Sequence, residues 1–74
     1  MGRLAGFTYR KIVQKLKTAG FRFKRQAKGA HEIWFNPETR RLTVVPRHPG
    51  EFSETLVRSI IRQAGLSVDE FLSL

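Results

Sequence analysis

The apolar residues of this chain change their spacing twice, and these changes limit the folds available to it. From Tyr9 to Ala19 they recur at helical spacing, with Thr8 as an N-cap residue and Gly20 as a left-handed helix stop. The spacing then shortens to two residues, the period of a strand, and becomes helical again after Ser53. We therefore predict a first helix at about 8–19 and a sheet built from the residues between the two helices.

Three short runs between the helices have strand character. They are residues 21–24, 31–36 and 41–45. Phe21 and Phe23 alternate with basic residues, which predicts that both face the core, and Pro46 is expected to end the third strand. Both connections are only a few residues long, so neither can hold a crossover. The strands must then form an antiparallel meander.

The second helix is predicted to begin near Ser53 and to end at Gly65. Its buried stripe consists of Leu56, Val57, Ile60, Ile61 and Ala64. Ser67 and Glu70 have the spacing of a capping box, which predicts a short terminal helix. The expected fold is α+β with the order α-β-β-β-α(-α): one domain over residues 1–74, with a three-stranded antiparallel sheet that has helices on one face.

Positive charge is concentrated in the first part of the chain. The formal net charge is +8, yet residues 1–31 contain nine basic and no acidic residues, whereas residues 32–74 contain five basic and six acidic ones. The first segment thus carries +9 and the second −1. Such a distribution favours a polyanion, above all nucleic acid, as the partner.

The composition excludes several classes of function. The chain has no cysteine, so disulfides and thiol nucleophiles are ruled out, and a reducing cytoplasm is the expected location. Two histidines and six scattered carboxylates give no pattern for a metal site, and no glycine-rich nucleotide loop is present. No apolar run approaches the roughly 20 residues that a membrane span needs. We expect no metal, no cofactor and no membrane association.

His31 is the candidate catalytic residue. It follows Lys28, Gly29 and Ala30 at the start of the second strand, where the two small residues can let a phosphate approach the backbone. RNA brings its own nucleophile, the ribose 2′-hydroxyl, so its cleavage needs only a base and nearby cations. A neutral imidazole can be that base. An ordinary strand-end histidine bonded to a carbonyl explains the same residue equally well from chemistry alone.

Two other side chains have competing interpretations. His48 lies between Arg47 and Pro49, where it can order the loop or cap a helix, or instead touch substrate as a second site residue. Trp34 could stack on an unpaired base if it faced outward, but burial is favoured.

Several motifs, taken in their order and spacing, resemble a known family. They are Gly20-Phe21 after the first helix, Gly29-Ala30-His31, Val45-Pro46-Arg47-His48, the run 60–66, and Phe71-Leu72. Over about residues 8–72 this pattern resembles the HicA (YcfA-like) toxins of bacterial and archaeal toxin–antitoxin systems. The resemblance implies a fold like that of double-stranded-RNA-binding domains and an mRNA interferase that cleaves RNA without the ribosome. It also implies that the family's catalytic histidine falls on His31, and that a HicB-type antitoxin blocks the site in a hetero-oligomer.

Three functions remain open at this point. The first is a metal-independent ribonuclease toxin with His31 as general acid/base. Its candidate RNA contacts are Arg10, Lys11, Lys15, Lys24, Arg25, Lys28, Gly29 and Ala30. The second is a non-catalytic RNA-binding module that uses the same basic face. The third is an interaction protein whose charge captures an acidic partner. RNA in flexible single strands is as acceptable a substrate as a duplex, because its 2′-hydroxyl can swing into line with the scissile bond.

Overall fold

The computed structural model describes residues 2–74. Its elements are α1 (Tyr9–Thr18), β1 (Arg22–Gln26), β2 (His31–Asn36), β3 (Arg41–Pro46), α2 (Glu54–Gln63) and α3 (Val68–Leu72). The predicted α+β order, α-β-β-β-α-α, is confirmed. No helix within residues 2–74 is both long and apolar enough to cross a bilayer.

The N-caps predicted at Thr8 and Ser67 are present, and α2 begins next to Ser53, as predicted. The hydroxyls of Thr8 and Ser53 accept hydrogen bonds from the backbone N–H groups of Lys11 and Leu56. Ser67 forms the complete capping box with Glu70 at the start of α3. These bonds satisfy N–H groups that have no partner within the helix.

The strands form one antiparallel sheet in the order β1-β2-β3, as the short connections predicted. Burial along central β2 alternates: Glu32, Trp34 and Asn36 lie on the side of the helices. His31 therefore projects from the opposite, open face of the sheet. β3 includes Pro46, which pairs with His31. As the last residue of an edge strand, this proline need not donate to a ladder.

The prediction for the first strand was wrong in part. Phe21 is buried at 2% exposure, but it precedes β1, and every residue of β1 is exposed, including Phe23 at 51%. β1 is an edge strand, and its register with β2 shifts between Phe23 and Arg25. The shift follows Phe23, so it does not alter the alternation between the two phenylalanines. Phe23 pairs with Trp34 on the helix side of the sheet, and its ring is half exposed at the free edge that β1 forms.

The residues before α1 also contribute to the core, which the sequence patterns did not predict. Leu4 and Phe7 are buried, and the Phe7 and Phe71 rings pack with their centroids 5.3 Å apart. The N–H of Phe52 donates to the carbonyl of Phe7 at 2.7 Å. This contact joins the segment before α1 to the segment before α2 and closes the helix layer over the sheet.

Candidate functional site

His31 is exposed at the start of β2, and one of its ring nitrogens has a defined partner. Nδ1 lies 3.2 Å from the carbonyl oxygen of Lys28. Because a carbonyl can only accept, this contact requires the proton on Nδ1 and leaves Nε2 of the neutral ring as an acceptor. In the neutral ring, this free nitrogen is the one that can accept a proton from a substrate.

The hairpin before His31 holds its ring partner in place. The N–H of Ala27 donates to the carbonyl of His31 at 2.7 Å, and the side chain of Gln26 donates to the carbonyl of Gly29 at 3.1 Å. Gly29 has a φ of +69°, a conformation that side chains disfavour, and the space where its Cβ would lie is open. The backbone angle explains the glycine, and the open space beside it is accessible to a ligand.

Glu32 is a buried carboxylate directly after His31, on the opposite face of the sheet. Its Oε1 accepts hydrogen bonds from the hydroxyl of Tyr9 at 2.7 Å and from the indole N–H of Trp34 at 3.1 Å. Its Oε2 lies 3.8 Å from Nη1 of Arg47. Only 4% of the Glu32 side chain is accessible, so these partners offset the desolvation of its charge.

Arg47 connects this buried carboxylate to solvent at the end of the sheet where β2 begins. Its backbone N–H donates to the carbonyl of Ala30 at 2.8 Å, which fixes it against the residue before His31. Its guanidinium lies 5.1 Å from the centre of the Tyr9 ring. The side chain remains 68% exposed, so most of its donors are free for an anion.

The pKa of Tyr9 is affected by the charges of Glu32 and Arg47. Burial first, then the hydrogen bond to Glu32 and the negative charge of that residue, raise the Tyr9 pKa from 10.0 to about 12, whereas Arg47 lowers it. The folded state holds the phenolic proton more tightly than the unfolded chain does. The resulting stabilisation is complete below pH 10 and is lost as the pH rises towards about 12.

We expect an ultraviolet absorbance titration of Tyr9, the only tyrosine, to give a midpoint near 12 in the folded protein and near 10 in denaturant. Circular dichroism at each pH would confirm that the chain is folded. Glu32→Gln should lower the folded midpoint because it removes the negative charge, whereas Glu38→Gln, in the turn after β2, should not change it. Equal midpoints in folded and unfolded protein would show that Tyr9 does not sense the Glu32 carboxylate.

A shallow cavity of about 390 Å3 lies beside Arg47. It is lined by Thr8, Tyr9, Arg10, Arg47, His48, Pro49 and Gly50. His48 has Nδ1 2.8 Å from the carbonyl oxygen of Pro49, and its ring stacks on Phe52 with the centroids 4.2 Å apart. These contacts order the loop. The structure therefore brings Arg10 and His48 together with Arg47 around one cavity, on the same side of the sheet as Tyr9.

The other predicted RNA contacts divide into two groups. The first group consists of Lys24, Arg25 and Lys28. Lys24 and Arg25 lie on exposed β1, and Lys24 Nζ is 4.8 Å from the centre of the Phe35 ring on the open face. Lys28 is exposed in the hairpin before His31. Lys15, by contrast, donates to the carbonyl of Leu74 at 2.8 Å. Lys11 lies beside Lys15 along a separate cavity on the far side of α1. The structure does not bring these two lysines to His31.

Sequence reasoning missed the roles of Glu32 and Arg47. Glu32 shares a strand face with Trp34, and an acidic residue on a buried face requires polar partners. That alternation was the available signal, but the three consecutive apolar residues after Glu32 obscured it. Within residues 2–74, no three histidine, aspartate or glutamate side chains converge as metal ligands would.

The sequence was compared with curated proteins and with protein-family models. No curated protein sequence matches the chain significantly. A family model described as HicA toxin of bacterial toxin-antitoxin matches residues 9–66, which extend from the first residue of α1 to the residue before the α3 cap. The matched segment includes His31, Glu32 and Arg47. The chain therefore belongs to the HicA toxin family of bacterial toxin–antitoxin systems.

Proposed function

We propose that this toxin is an endoribonuclease that cleaves mRNA in the cytoplasm, with His31 as general acid/base. The observation that carries the proposal is the contact between His31 Nδ1 and the Lys28 carbonyl, which leaves Nε2 free to accept a proton. The ring is exposed on the open sheet face, so a large substrate can reach it.

In the proposed reaction, His31 Nε2 takes the proton of a ribose 2′-hydroxyl. The 2′-oxygen attacks the adjacent phosphorus, and the bond from phosphorus to the 5′-oxygen breaks. The departing 5′-oxygen takes a proton from water at this open site, and the imidazolium later returns its proton to solvent. The products are a 2′,3′-cyclic phosphate and a free 5′-hydroxyl. The nucleophile comes from the RNA, so this route needs no metal or cofactor.

Cations near His31 stabilise the negative charge that gathers on phosphorus in the transition state. Lys28 is the nearest of them along the chain, because it is exposed in the hairpin that leads into His31. Arg47 adds an exposed guanidinium at the same end of the sheet, where Tyr9 and Glu32 hold it on the helix side. Lys24, Arg25 and Lys28 supply further phosphate contacts on β1 and its hairpin.

A HicB-type antitoxin is the proposed partner that keeps the toxin inactive. Membership in the family implies an antitoxin, and a protein that covers His31 and Arg47 in a hetero-oligomer would block access of RNA. The net charge of +8 favours an antitoxin with an acidic contact surface. Such a partner would compete directly with RNA.

The chemistry of the products tests the proposed function. We expect the purified protein to cut single-stranded RNA in the presence of a chelator and to leave 2′,3′-cyclic phosphate ends. The same sequence with 2′-O-methyl groups should remain whole, because it lacks the nucleophile. Cleavage of the 2′-O-methyl strand would refute the role given to the 2′-hydroxyl.

The exposed basic strand β1 also supports a second candidate, an RNA-binding module without catalysis. In that case the RNA stays whole. A plot of the logarithm of the protein's binding constant for RNA against the logarithm of the salt concentration should have a slope of about −0.7 per phosphate contact. The same incubation distinguishes the two functions, because intact RNA after binding would leave only the second.

A further inference from the structure

Phe23 presents an aromatic surface to solvent at the free edge of the sheet. It is one of two large apolar side chains that are strongly exposed among residues 2–74, the other being Leu42. Its ring meets Trp34 edge to face, with the centroids 6.0 Å apart and an interplanar angle of 77°. Trp34 itself is only 3% exposed, so it supports Phe23 from the core side. A rigidly backed aromatic ring of this kind can stack on a flat ligand.

The cavity beside Phe23, which we term the Phe23 cavity, also carries positive charge. It has a volume of about 410 Å3 and is lined by Lys17, Gly20, Phe21, Arg22, Phe23 and Trp34. Lys17 Nζ lies 5.9 Å from the centre of the Trp34 ring, at the rim. A purely apolar side chain could fill the cavity but would leave both cations without partners. A ligand with a flat aromatic part and an anionic part satisfies both features, and a nucleotide has both.

We propose that the Phe23 cavity binds an unpaired nucleobase of RNA, with Lys17 and Arg22 contacting the adjoining phosphate. This inference rests on the proposed function, because it assigns a second contact of the same substrate. Phe23 pairs with Trp34, which lies three residues along β2 from His31, or about 10 Å at the rise of a strand. The exposed cations Lys24 and Arg25 lie along the same edge.

This placement restricts the substrate. RNA that reaches both His31 and the Phe23 cavity must pass across β1, from the open face of the sheet to its helix side. A base in a duplex is already stacked and paired, whereas a single strand can turn one base into the cavity. The Phe23 cavity therefore selects single-stranded RNA.

The test measures binding without cleavage. The probe is a short single-stranded 2′-O-methyl oligoribonucleotide, which the proposed reaction cannot cut, and the second probe is an abasic strand with the same number of phosphates. Trp34 is the only tryptophan and lines the cavity, so its fluorescence reports occupancy. The variants are Phe23→Ala and Phe23→Tyr, and the matched control is Leu42→Ala, which removes the other exposed apolar side chain from the opposite sheet face.

Phe23→Ala should weaken binding of the base-bearing strand by about 5- to 140-fold, the range for one stacked base, and should leave the abasic strand unaffected. Phe23→Tyr and Leu42→Ala should bind as the wild type does. Equal affinities for wild type and Phe23→Ala would overturn the proposal, as would an equal loss on both strands. If binding depends on Phe23 but the protein never cuts RNA, the base-binding role of the Phe23 cavity stands and the proposed ribonuclease activity is refuted. If the protein cuts RNA but its binding does not depend on Phe23, the ribonuclease activity stands and the base-binding role of the Phe23 cavity is refuted.

Discussion

Replacing His31 by alanine is expected to slow RNA cleavage by about 10²- to 10⁴-fold, the usual contribution of a general acid/base. The side chain is exposed, and its single polar contact is to the carbonyl of Lys28 in the adjacent hairpin. Removing it should therefore change the free energy of unfolding by no more than about 0.5 kcal/mol. A large loss of rate with an unchanged fold would separate a catalytic role from a structural one.

The measurement is the initial rate of cleavage of a labelled single-stranded RNA, with growth of a bacterial host after induction as a second reading. His48→Ala is the matched control, because it removes the other histidine of the chain. That residue contacts Pro49 and Phe52, so its loss should loosen a loop and leave most of the activity. Equal rates for wild type and His31→Ala, or equal toxicity of both in the host, would remove His31 from the mechanism.

Much of this fold follows from local patterns in the sequence. The caps at Thr8 and Ser67 lie where the sequence predicts them, and α2 begins next to Ser53, because each cap depends on a hydroxyl and an N–H only a few residues apart. The meander follows from connections too short for a crossover. The position of Phe23 could not be predicted in this way. Its exposure depends on the place of β1 at the edge of the sheet and on where the helix layer ends, and both are set by distant parts of the chain.

The candidate site shows the same division between local and distant information. His31 can be proposed from its neighbours in the sequence and from the family resemblance. The cluster of Tyr9, Glu32 and Arg47 joins three segments that are far apart in the chain, and no short spacing indicates it. Burial decides its chemistry, because the same carboxylate in solvent would hold Arg47 only weakly. This cluster is therefore the part of the site that required the structure.

The Glu32 cluster gives the prediction with the largest effect on stability. Glu32→Ala should lower the free energy of unfolding by about 2–4 kcal/mol, because it leaves the hydroxyl of Tyr9 and the indole N–H of Trp34 without their acceptor. This loss should be at the lower end of the range for breaking a buried ion pair, because the guanidinium of Arg47 is mostly exposed and can be hydrated once its partner is gone. Urea unfolding, followed by Trp34 fluorescence, measures it.

Glu32→Gln separates the two tasks that this carboxylate performs. The amide keeps an oxygen acceptor for Tyr9 and Trp34, so most of the stability should remain, at a cost of about 1 kcal/mol. It has no charge to hold Arg47, so cleavage should still fall although His31 is intact. Glu38→Ala, which removes an exposed carboxylate from the turn after β2, is the matched control and should change neither quantity. If Glu32→Ala proved as stable as Glu38→Ala, the buried carboxylate would not hold α1 and Arg47 to the sheet. If Glu32→Gln cleaved RNA at the wild-type rate, the contact between Arg47 and the Glu32 carboxylate would not contribute to cleavage.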